Sequence, residues 1–448
     1  MNAVKRFICS LKDPDVFFTF LNYIVKIFLN PVIVVFIPIF LQEDVQGYWY
    51  TFGSIAALTN YADLGFTAIM TQYVAHECAF LTYDKGKKIF LGSSERIERL
   101  ASLFRFVIRW VGMILAIASG VIFTIGFVMF SGYTEGVSWK IQWALYVGST
   151  ILNFAAEIEL AFFEGCNQFA ITQKIRTVAG GIYCIVTILL LAAGMGLYAL
   201  GIPLLVKAGI VYVMLNRKFQ KALRQLRTCP LTVEVRWIDE FLPLLGRYAV
   251  SWISGYFITQ IYNPLTFARF GSIAAGKVGY CLSIIQAVYS VANVWIVLAT
   301  PRMNMLEEKK DWAGMDRTLK RNLSYSAVTY GMGIMAVFVL GNIPVLESIL
   351  WMRMLSKTAV LILSTAYLGS MVINALAVYL RAHKREPFMV LSVCSGVISS
   401  CITVLLAYTA EIDFIFLGML LDYVVIVPYG VYLWRKYRRL WHGAKEKI

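Results

Sequence analysis

Three basic residues lie deep within strongly apolar stretches of this sequence. Lys26, Lys207 and Arg247 each fall near the middle or in the inner half of such a stretch. An ionisable side chain in hydrocarbon costs roughly 3 kcal/mol or more, so it needs a counter-ion, a water-filled cavity or a route to the interface. Because lysine and arginine bind phosphate groups well, these residues are candidates for contact with an anionic substrate group. The alternative is that each forms an internal ion pair that only joins helices.

Two further cations, Arg269 and Lys277, lie nearer the predicted outer surface and complete the predicted substrate-binding set. Acidic residues at membrane depth are fewer. Asp422 is about 15 Å into the last apolar stretch. Glu157 lies toward the inner end of the fourth stretch, where Glu159 and Glu164 are also found. Ion pairing between helices is the alternative to a conformational or coupling role for these acids.

Asp63 interrupts one of the most apolar runs of the chain, NYADLGF. It follows Gly47 by about 24 Å along a helix, which places it close to the inner edge of a hydrocarbon core of about 30 Å. A hinge suits this depth better than an ion site, because Asp63 can hydrogen-bond local backbone where Gly65 loosens the helix. The predicted conformational or coupling residues are therefore Asp63, Gly65, Glu157 and Asp422.

Helices that span a membrane must position these residues. The 448 residues are 59% hydrophobic and only 15% charged, and the mean hydropathy is +0.69. Apolar runs of about 20 residues recur along the chain, each long enough to cross a bilayer as a helix. They predict about twelve spans, namely 17 to 41, 47 to 70, 105 to 131, 140 to 163, 172 to 192, 196 to 215, 241 to 265, 273 to 299, 324 to 346, 357 to 380, 388 to 408 and 412 to 433.

Lysine and arginine concentrate in alternate connections between these spans, which predicts that those connections and both termini are cytoplasmic. The basic connections lie at residues 85–99, 174–176, 217–227, 309–321 and 381–385. The net charge of +15 is explained by loops that face anionic lipid headgroups, so no nucleic-acid partner is predicted.

Cysteine and histidine give no sign of a metal site. The eight cysteines are scattered without a C-x-x-C pair, and His76, His383 and His442 are far apart in sequence. Neither a disulfide framework nor a metal centre is predicted, and no catalytic residue or cofactor is expected.

A polar segment near the midpoint divides the chain into two predicted lobes of six spans, residues 1–225 and 226–448. Such a plan is common in transporters built from structural repeats, in which the substrate path lies between the repeats. The fold class predicted from the sequence is an all-α polytopic membrane protein of two six-helix lobes.

The second span opens with Gly47-Tyr48-Trp49 and ends with Asp63-Leu64-Gly65, and the fourth span ends with the segment from Ala161 to Phe169. These segments resemble the second and fourth helices of the polysaccharide transporters. The resemblance is closest to the Wzx type of O-antigen flippase within the multidrug, oligosaccharidyl-lipid and polysaccharide (MOP) exporter superfamily. It covers the whole chain in the arrangement of spans, and in sequence it covers residues 17 to 80 and 155 to 180.

This resemblance implies a MATE-like fold and a flippase in the cell inner membrane that takes part in polysaccharide or lipopolysaccharide biosynthesis. The implied substrate is an undecaprenyl-diphosphate-linked oligosaccharide, moved by alternating access through a cationic central cavity with a lateral opening for the lipid. Coupling to a proton or sodium gradient, and partnership with a polysaccharide polymerase and a chain-length regulator, complete this hypothesis.

Two alternatives remain open. A multidrug or cation antiporter of the same fold would need membrane-embedded acids, of which Asp422 is the most central. A membrane glycosyltransferase or O-antigen polymerase would use Glu43 and Asp44 as catalytic carboxylates, but the predicted external connections are short.

Overall fold

The computed structural model describes residues 14–84, 86–133, 136–231, 235–347, 349–383 and 387–443. Within them the protein consists almost wholly of α-helices, with one two-stranded antiparallel hairpin in which Thr82 pairs with Leu91. Apolar runs form helices because, in hydrocarbon, only a helix or a closed barrel satisfies all backbone hydrogen bonds internally. The prediction of an all-α polytopic membrane protein is confirmed.

The first half of the chain contains the hairpin and the helices that precede and follow it. These elements are α1 Pro14–Phe40, α2 Glu43–Ala56, α3 Leu58–Ala62, α4 Phe66–Cys78, β1 Thr82–Asp84, β2 Ile89–Leu91, α5 Ser94–Ser131, α6 Lys140–Gly165, α7 Phe169–Ala192 and α8 Tyr198–Thr228.

Among its described residues, the second half consists of helices joined by short turns. Its helices are α9 Trp237–Thr259, α10 Tyr262–Phe270, α11 Ser272–Glu308, α12 Trp312–Gly341, α13 Pro344–Glu347, α14 Lys357–Arg381, α15 Met389–Thr409 and α16 Leu417–Gly443, with short 3-10 turns at Trp351–Arg353 and Ile412–Phe414.

In the parts of the chain that the structure describes, nine helices are long and apolar enough to cross a membrane. They are α5, α6, α7, α8, α11, α12, α14, α15 and α16. Helices α1 and α9 also overlap predicted spans.

The second predicted span, 47 to 70, is divided among α2, α3 and α4, and one of its breaks lies at 63–65, where the sequence predicts a looser helix. Between α3 and α4, Leu64 and Gly65 have left-handed backbones with φ of 50° and 81°. Glycine adopts this conformation readily, whereas the Cβ of leucine makes it unfavourable. Both carboxylate oxygens of Asp63 accept from the Thr67 N–H at 3.2 Å, and Oδ1 accepts from its hydroxyl at 2.7 Å. The side chain therefore satisfies polar groups in the first turn of α4.

The chain forms two compact units. Unit 1 contains Met1–Leu41 and Phe52–Trp252, and unit 2 contains Gln42–Thr51 and Ile253–Ile448. The lobe boundary between residues 225 and 226 stays a prediction.

Aromatic packing fixes helices α2, α5 and α6 within unit 1. The ring centroid of Phe52 lies 4.9 Å from that of Phe130 and 4.8 Å from that of Trp143. The indole of Trp143 lies against Gly126, where an added Cβ would be 2.3 Å from a ring carbon. Nearby, α6, α7 and α8 pack on one another and α1 lies along α7. These helices surround the charged residues described below.

In unit 2, the first part of α2 packs closely on α11 through glycines. A Cβ on Gly47 would lie 1.9 Å from the carbonyl oxygen of Ser272, and one on Gly279 would lie 2.3 Å from the Tyr50 ring. Gln46 donates to the carbonyl of Gly276 at 3.1 Å. The small residues thus let two helix backbones approach each other, as is common in membrane proteins.

Candidate functional site

A cavity of ≈ 300 Å³ lies among α1, α6, α7 and α8 of unit 1. Its walls combine charged, polar and apolar side chains at the depth of predicted membrane spans. The lining residues are Asn22, Val25, Leu29, Glu157, Arg176, Gly180, Tyr183, Leu204 and Lys207.

Two acids and two bases form one ion-pair network at this cavity. Lys207 Nζ lies 3.2 Å from Glu157 Oε1, and Arg176 Nε donates to Glu157 Oε2 at 2.8 Å. The Arg176 guanidinium also forms an ion pair with Glu164. The side chains of Arg176 and Glu164 are each only 13% exposed. The two negative and two positive charges cancel, which makes their burial far less costly than that of a single charge.

Neutral polar groups extend the network to α1. Gln173 Nε2 donates to Glu164 at 2.7 Å, and Thr172 Oγ1 donates to the same oxygen at 3.0 Å. Asn22 Nδ2 donates to Gln173 Oε1 at 2.6 Å. The buried Asn22 Oδ1 accepts no hydrogen bond from the described residues. The cavity wall therefore offers an acceptor that a ligand hydroxyl or a water can satisfy.

Sequence reasoning placed Arg176 in a loop and missed its role in this network. The helix α7 begins at Phe169, so Arg176 lies about 10 Å along it. There it faces the last turns of α6, which carry Glu157 and Glu164. Glu157 and Glu164 lie seven positions apart near the end of one span, and each needs a cation from a neighbouring helix. This need was the signal in the sequence that could have identified Arg176 as their partner.

Unit 2 contains a different polar site around Asp422 on α16. This side chain is fully buried, and its Oδ2 accepts from the Ser395 hydroxyl of α15. Its Oδ1 has no hydrogen-bond partner among the described residues. Close by, Thr403 Oγ1 donates to the Tyr262 hydroxyl at 3.4 Å. A buried carboxylate among hydroxyls, with no cation partner in the described parts of the chain, favours uptake of a proton or a small cation.

The structure brings together only some of the predicted site residues. Lys207 and Glu157 form an ion pair, which is the alternative that the sequence left open for both. Arg269 is exposed, with its guanidinium 5.6 Å from the Tyr408 ring centroid, and Lys277 is half-buried on α11. The side chains of Lys26 on α1 and Arg247 on α9 lie outside the described residues. The functional roles of all these residues stay predictions.

The candidate catalytic acids of the enzyme alternative lie at a helix start. Glu43 and Asp44 are in the first turn of α2, and Asp44 Oδ1 accepts from the Val45 N–H at 2.7 Å. Negative charge is stabilised at the amino end of a helix by the free N–H groups and the helix dipole. Both acids are therefore positioned to stabilise the start of α2.

The sequence matches no protein-family model and no curated protein. Solved structures nevertheless share the fold. An inward-facing multidrug resistance MATE family transporter of the MOP superfamily has a TM-score of 0.61 at 8% identity, over 92% of this chain and 99% of that chain. The lipid II flippase MurJ, in an inward closed conformation, has a TM-score of 0.64 at 11% identity, over 93% of this chain and 86% of that chain.

A third similar structure is the MATE transporter VcmN of Vibrio cholerae. Its TM-score is 0.57 at 12% identity, over 96% of this chain and 98% of that chain. This chain therefore has the fold of the MOP-superfamily transporters, which includes both drug exporters and a lipid flippase.

Proposed function

We propose that this protein is a flippase for an undecaprenyl-diphosphate-linked oligosaccharide, such as an O-antigen or capsule repeat unit. It works by alternating access in the cell inner membrane, with both termini cytoplasmic. A polysaccharide polymerase and a chain-length regulator are its expected partners. The fold shared with a lipid II flippase supports a lipid-linked substrate, and the resemblance of its second and fourth spans to Wzx-type flippases supports the oligosaccharide.

The observation that carries this proposal is the charged cavity of unit 1. Lys207 and Arg176 line it, and each is paired with a carboxylate that a substrate diphosphate can replace. An ion pair makes the empty cavity tolerable in the membrane. When the cavity is occupied, a diphosphate oxygen takes the place of Glu157 beside Lys207, and Glu157 takes up a proton so that no unpaired carboxylate is left. This protonation offers a route for coupling to a proton gradient.

A double replacement separates substrate contact from simple ion pairing. The experiment compares Lys207→Met, Glu157→Gln and the double variant in vesicles loaded with the lipid-linked oligosaccharide. Translocation is measured as exposure of the sugar to an added glycosidase. If Lys207 binds diphosphate, Lys207→Met and the double variant both lose transport, whereas Glu157→Gln keeps substrate binding. Lys140→Met, an exposed lysine at the start of α6, is the matched control and should transport normally.

Recovery of transport in the double variant would show that Lys207 serves only to neutralise Glu157. Contact between Lys207 and the substrate would then be excluded, because the recovered protein would have neither the Lys207 nor the Glu157 charge, and Arg176 would be the cation left in the cavity. Absence of oligosaccharide transport by the unmodified protein would exclude the flippase function itself.

A second candidate is a cation-coupled exporter of drugs, favoured by the buried Asp422. A lone acid in a membrane interior suits exchange of a proton or sodium ion for a cationic substrate. Efflux of a cationic dye from vesicles under an imposed ion gradient, with loss of efflux in Asp422→Asn, would support this function. Gradient-driven oligosaccharide transport without dye efflux would exclude it.

A further inference from the structure

Two histidines that are far apart in sequence meet in unit 2. His383 follows α14 and His442 lies near the end of α16, 59 positions later, yet their Nε2 atoms are 3.2 Å apart. Each imidazole presents this nitrogen to the other, so that one Nε2–H can donate to the lone pair of the other ring. The sequence predicted no such meeting, and nothing in the proposed transport cycle uses it.

Aromatic side chains hold both imidazole rings. The Trp312 ring centroid lies 4.1 Å from that of His442 and 5.8 Å from that of His383, with interplanar angles of 12° and 16°. Trp441 contacts His383 from another side, with centroids 4.7 Å apart. The rings therefore share one indole face at the start of α12, and this packing limits their movement before any ligand arrives.

A backbone carbonyl selects the tautomer of His383. Its Nδ1 lies 3.2 Å from the carbonyl oxygen of Tyr379, so Nδ1–H donates there and Nε2 retains its lone pair. Metal-ligating histidines are held in this way by carbonyl or carboxylate partners.

We propose that His383 and His442 form a bidentate binding site for a divalent transition-metal ion of the Ni²⁺, Cu²⁺ and Zn²⁺ class. Two imidazole nitrogens at about 2.0–2.1 Å from a tetrahedral ion lie about 3.4 Å apart. The 3.2 Å between the two Nε2 atoms is close to that separation, so rotation of the rings, with little change in the distance between the two nitrogens, would bring both lone pairs onto one ion. His442 must then carry its hydrogen on Nδ1.

The surroundings indicate an exchangeable ion. The described residues contain no group of three or more histidine, cysteine or acidic side chains that could hold a metal, so the proposed ion would have only these two protein ligands among them. Asp316 accepts from the Tyr379 hydroxyl at 2.8 Å and forms an ion pair with Arg438, which offsets the guanidinium charge beside the histidines. The bound ion would clamp the end of α14 to the end of α16, and metal availability would thereby regulate movement of these helices.

Ni²⁺ binding to the full-length protein, purified in detergent without a polyhistidine tag, tests the site. Isothermal titration should give one Ni²⁺ per chain, and Ni²⁺ should raise the thermal unfolding midpoint. His383→Gln and His442→Gln should each weaken binding by about tenfold or more and abolish the shift. His76→Gln removes the remaining histidine, which is exposed on α4, and should behave as the unmodified protein does.

Two results would overturn the proposal: no Ni²⁺ binding by the unmodified protein, or binding by both histidine variants that is as tight as that of the unmodified protein. Thiols are the rival ligands, since Cys78 and Cys166 have Sγ atoms 2.9 Å apart. Binding that Cys166→Ser abolishes and the histidine variants retain would assign the ion to them. Electron paramagnetic resonance of Cu²⁺ on the unmodified protein gives a readout independent of any variant's folding. Two imidazole nitrogens are expected, and sulfur ligation would exclude the histidine site.

Discussion

The polar interiors of the two units accommodate buried charge in opposite ways. In unit 1, Arg176 and Lys207 neutralise Glu157 and Glu164 at the cavity. In unit 2, Asp422 is buried against the Ser395 hydroxyl and forms no ion pair with the described residues. The first site already contains the counter-ions that a charged substrate can replace. The second needs a proton or a cation from outside.

Under the proposed function, this difference separates two tasks, namely binding of the substrate and coupling to an ion gradient. A balanced network can pair Lys207 with a substrate anion when Glu157 takes up a proton, which suits substrate binding. A lone carboxylate changes its charge when it takes up a cation, which suits coupling to an ion gradient. Removal of one charge from the ion-pair network should therefore lower the stability of unit 1, whereas removal of the Asp422 charge should leave the stability of unit 2 unchanged or raise it.

The largest effect is expected from Arg176→Met in unit 1. This change leaves Glu157 with only Lys207 and removes the cation that joins it to Glu164. Loss of one partner from a buried ion pair costs about 3–5 kcal/mol, so we expect the free energy of unfolding to fall by about that amount. Unfolding in mixed micelles would measure this fall. Arg269→Met, at an exposed arginine, is the control and should change stability by less than about 0.5 kcal/mol. A small loss of stability in Arg176→Met would mean that water in the cavity solvates the unpaired carboxylates.

Gly65 in unit 1 and Gly271 in unit 2 each lie at a break between helices. Replacing each glycine by alanine measures the backbone strain at that break. Gly271, between α10 and α11, has φ 87° and ψ −177°, a region open almost only to glycine. Gly65 has φ 81° and ψ 9°, which other residues adopt with less strain. Gly271→Ala should cost about 2–3 kcal/mol of unfolding free energy and Gly65→Ala about 1 kcal/mol. Equal losses would show that local packing, and not backbone conformation, limits both positions.

Asp422→Asn should have the opposite sign to Arg176→Met. The amide oxygen can still accept from Ser395, while the buried negative charge is removed. The unfolding free energy should stay unchanged or rise by about 1 kcal/mol, while gradient-driven transport falls. Ser395→Ala, which removes only the hydroxyl partner, provides the comparison. A marked loss of stability in Asp422→Asn would indicate a cation partner and would remove the contrast between the units.

The smallest effect on stability is expected at Asp63 in unit 1. In Asp63→Asn the amide oxygen can still accept from Thr67, so the unfolding free energy should change by less than about 0.5 kcal/mol. We expect transport to fall through slower conformational cycling, with substrate affinity unchanged. Reduced affinity with intact cycling would place Asp63 among the substrate contacts and would extend the charged site of unit 1.

Local chemistry predicted much of the fold and part of the site. Apolar runs located the helices, and the Asp63 and Gly65 pair indicated a place where a helix loosens. The partner of Lys207 could not be read from the sequence, since Glu157 lies 50 positions away on another helix. Arg176 was assigned to a loop because a basic residue near a span end is usually a flanking charge.

The sequence by itself determined that this chain is helical and lies in a membrane. Length and apolarity of a segment are local properties, and the bilayer requires each backbone group to be satisfied within its own helix. Only the tertiary structure decided which buried charges form ion pairs and that His383 lies beside His442. It also decided that Asp422 has no cation partner among the described residues. These outcomes depend on which faces of distant helices pack together. Apolar faces of membrane helices are so alike in composition that the sequence alone does not reveal which of them are partners.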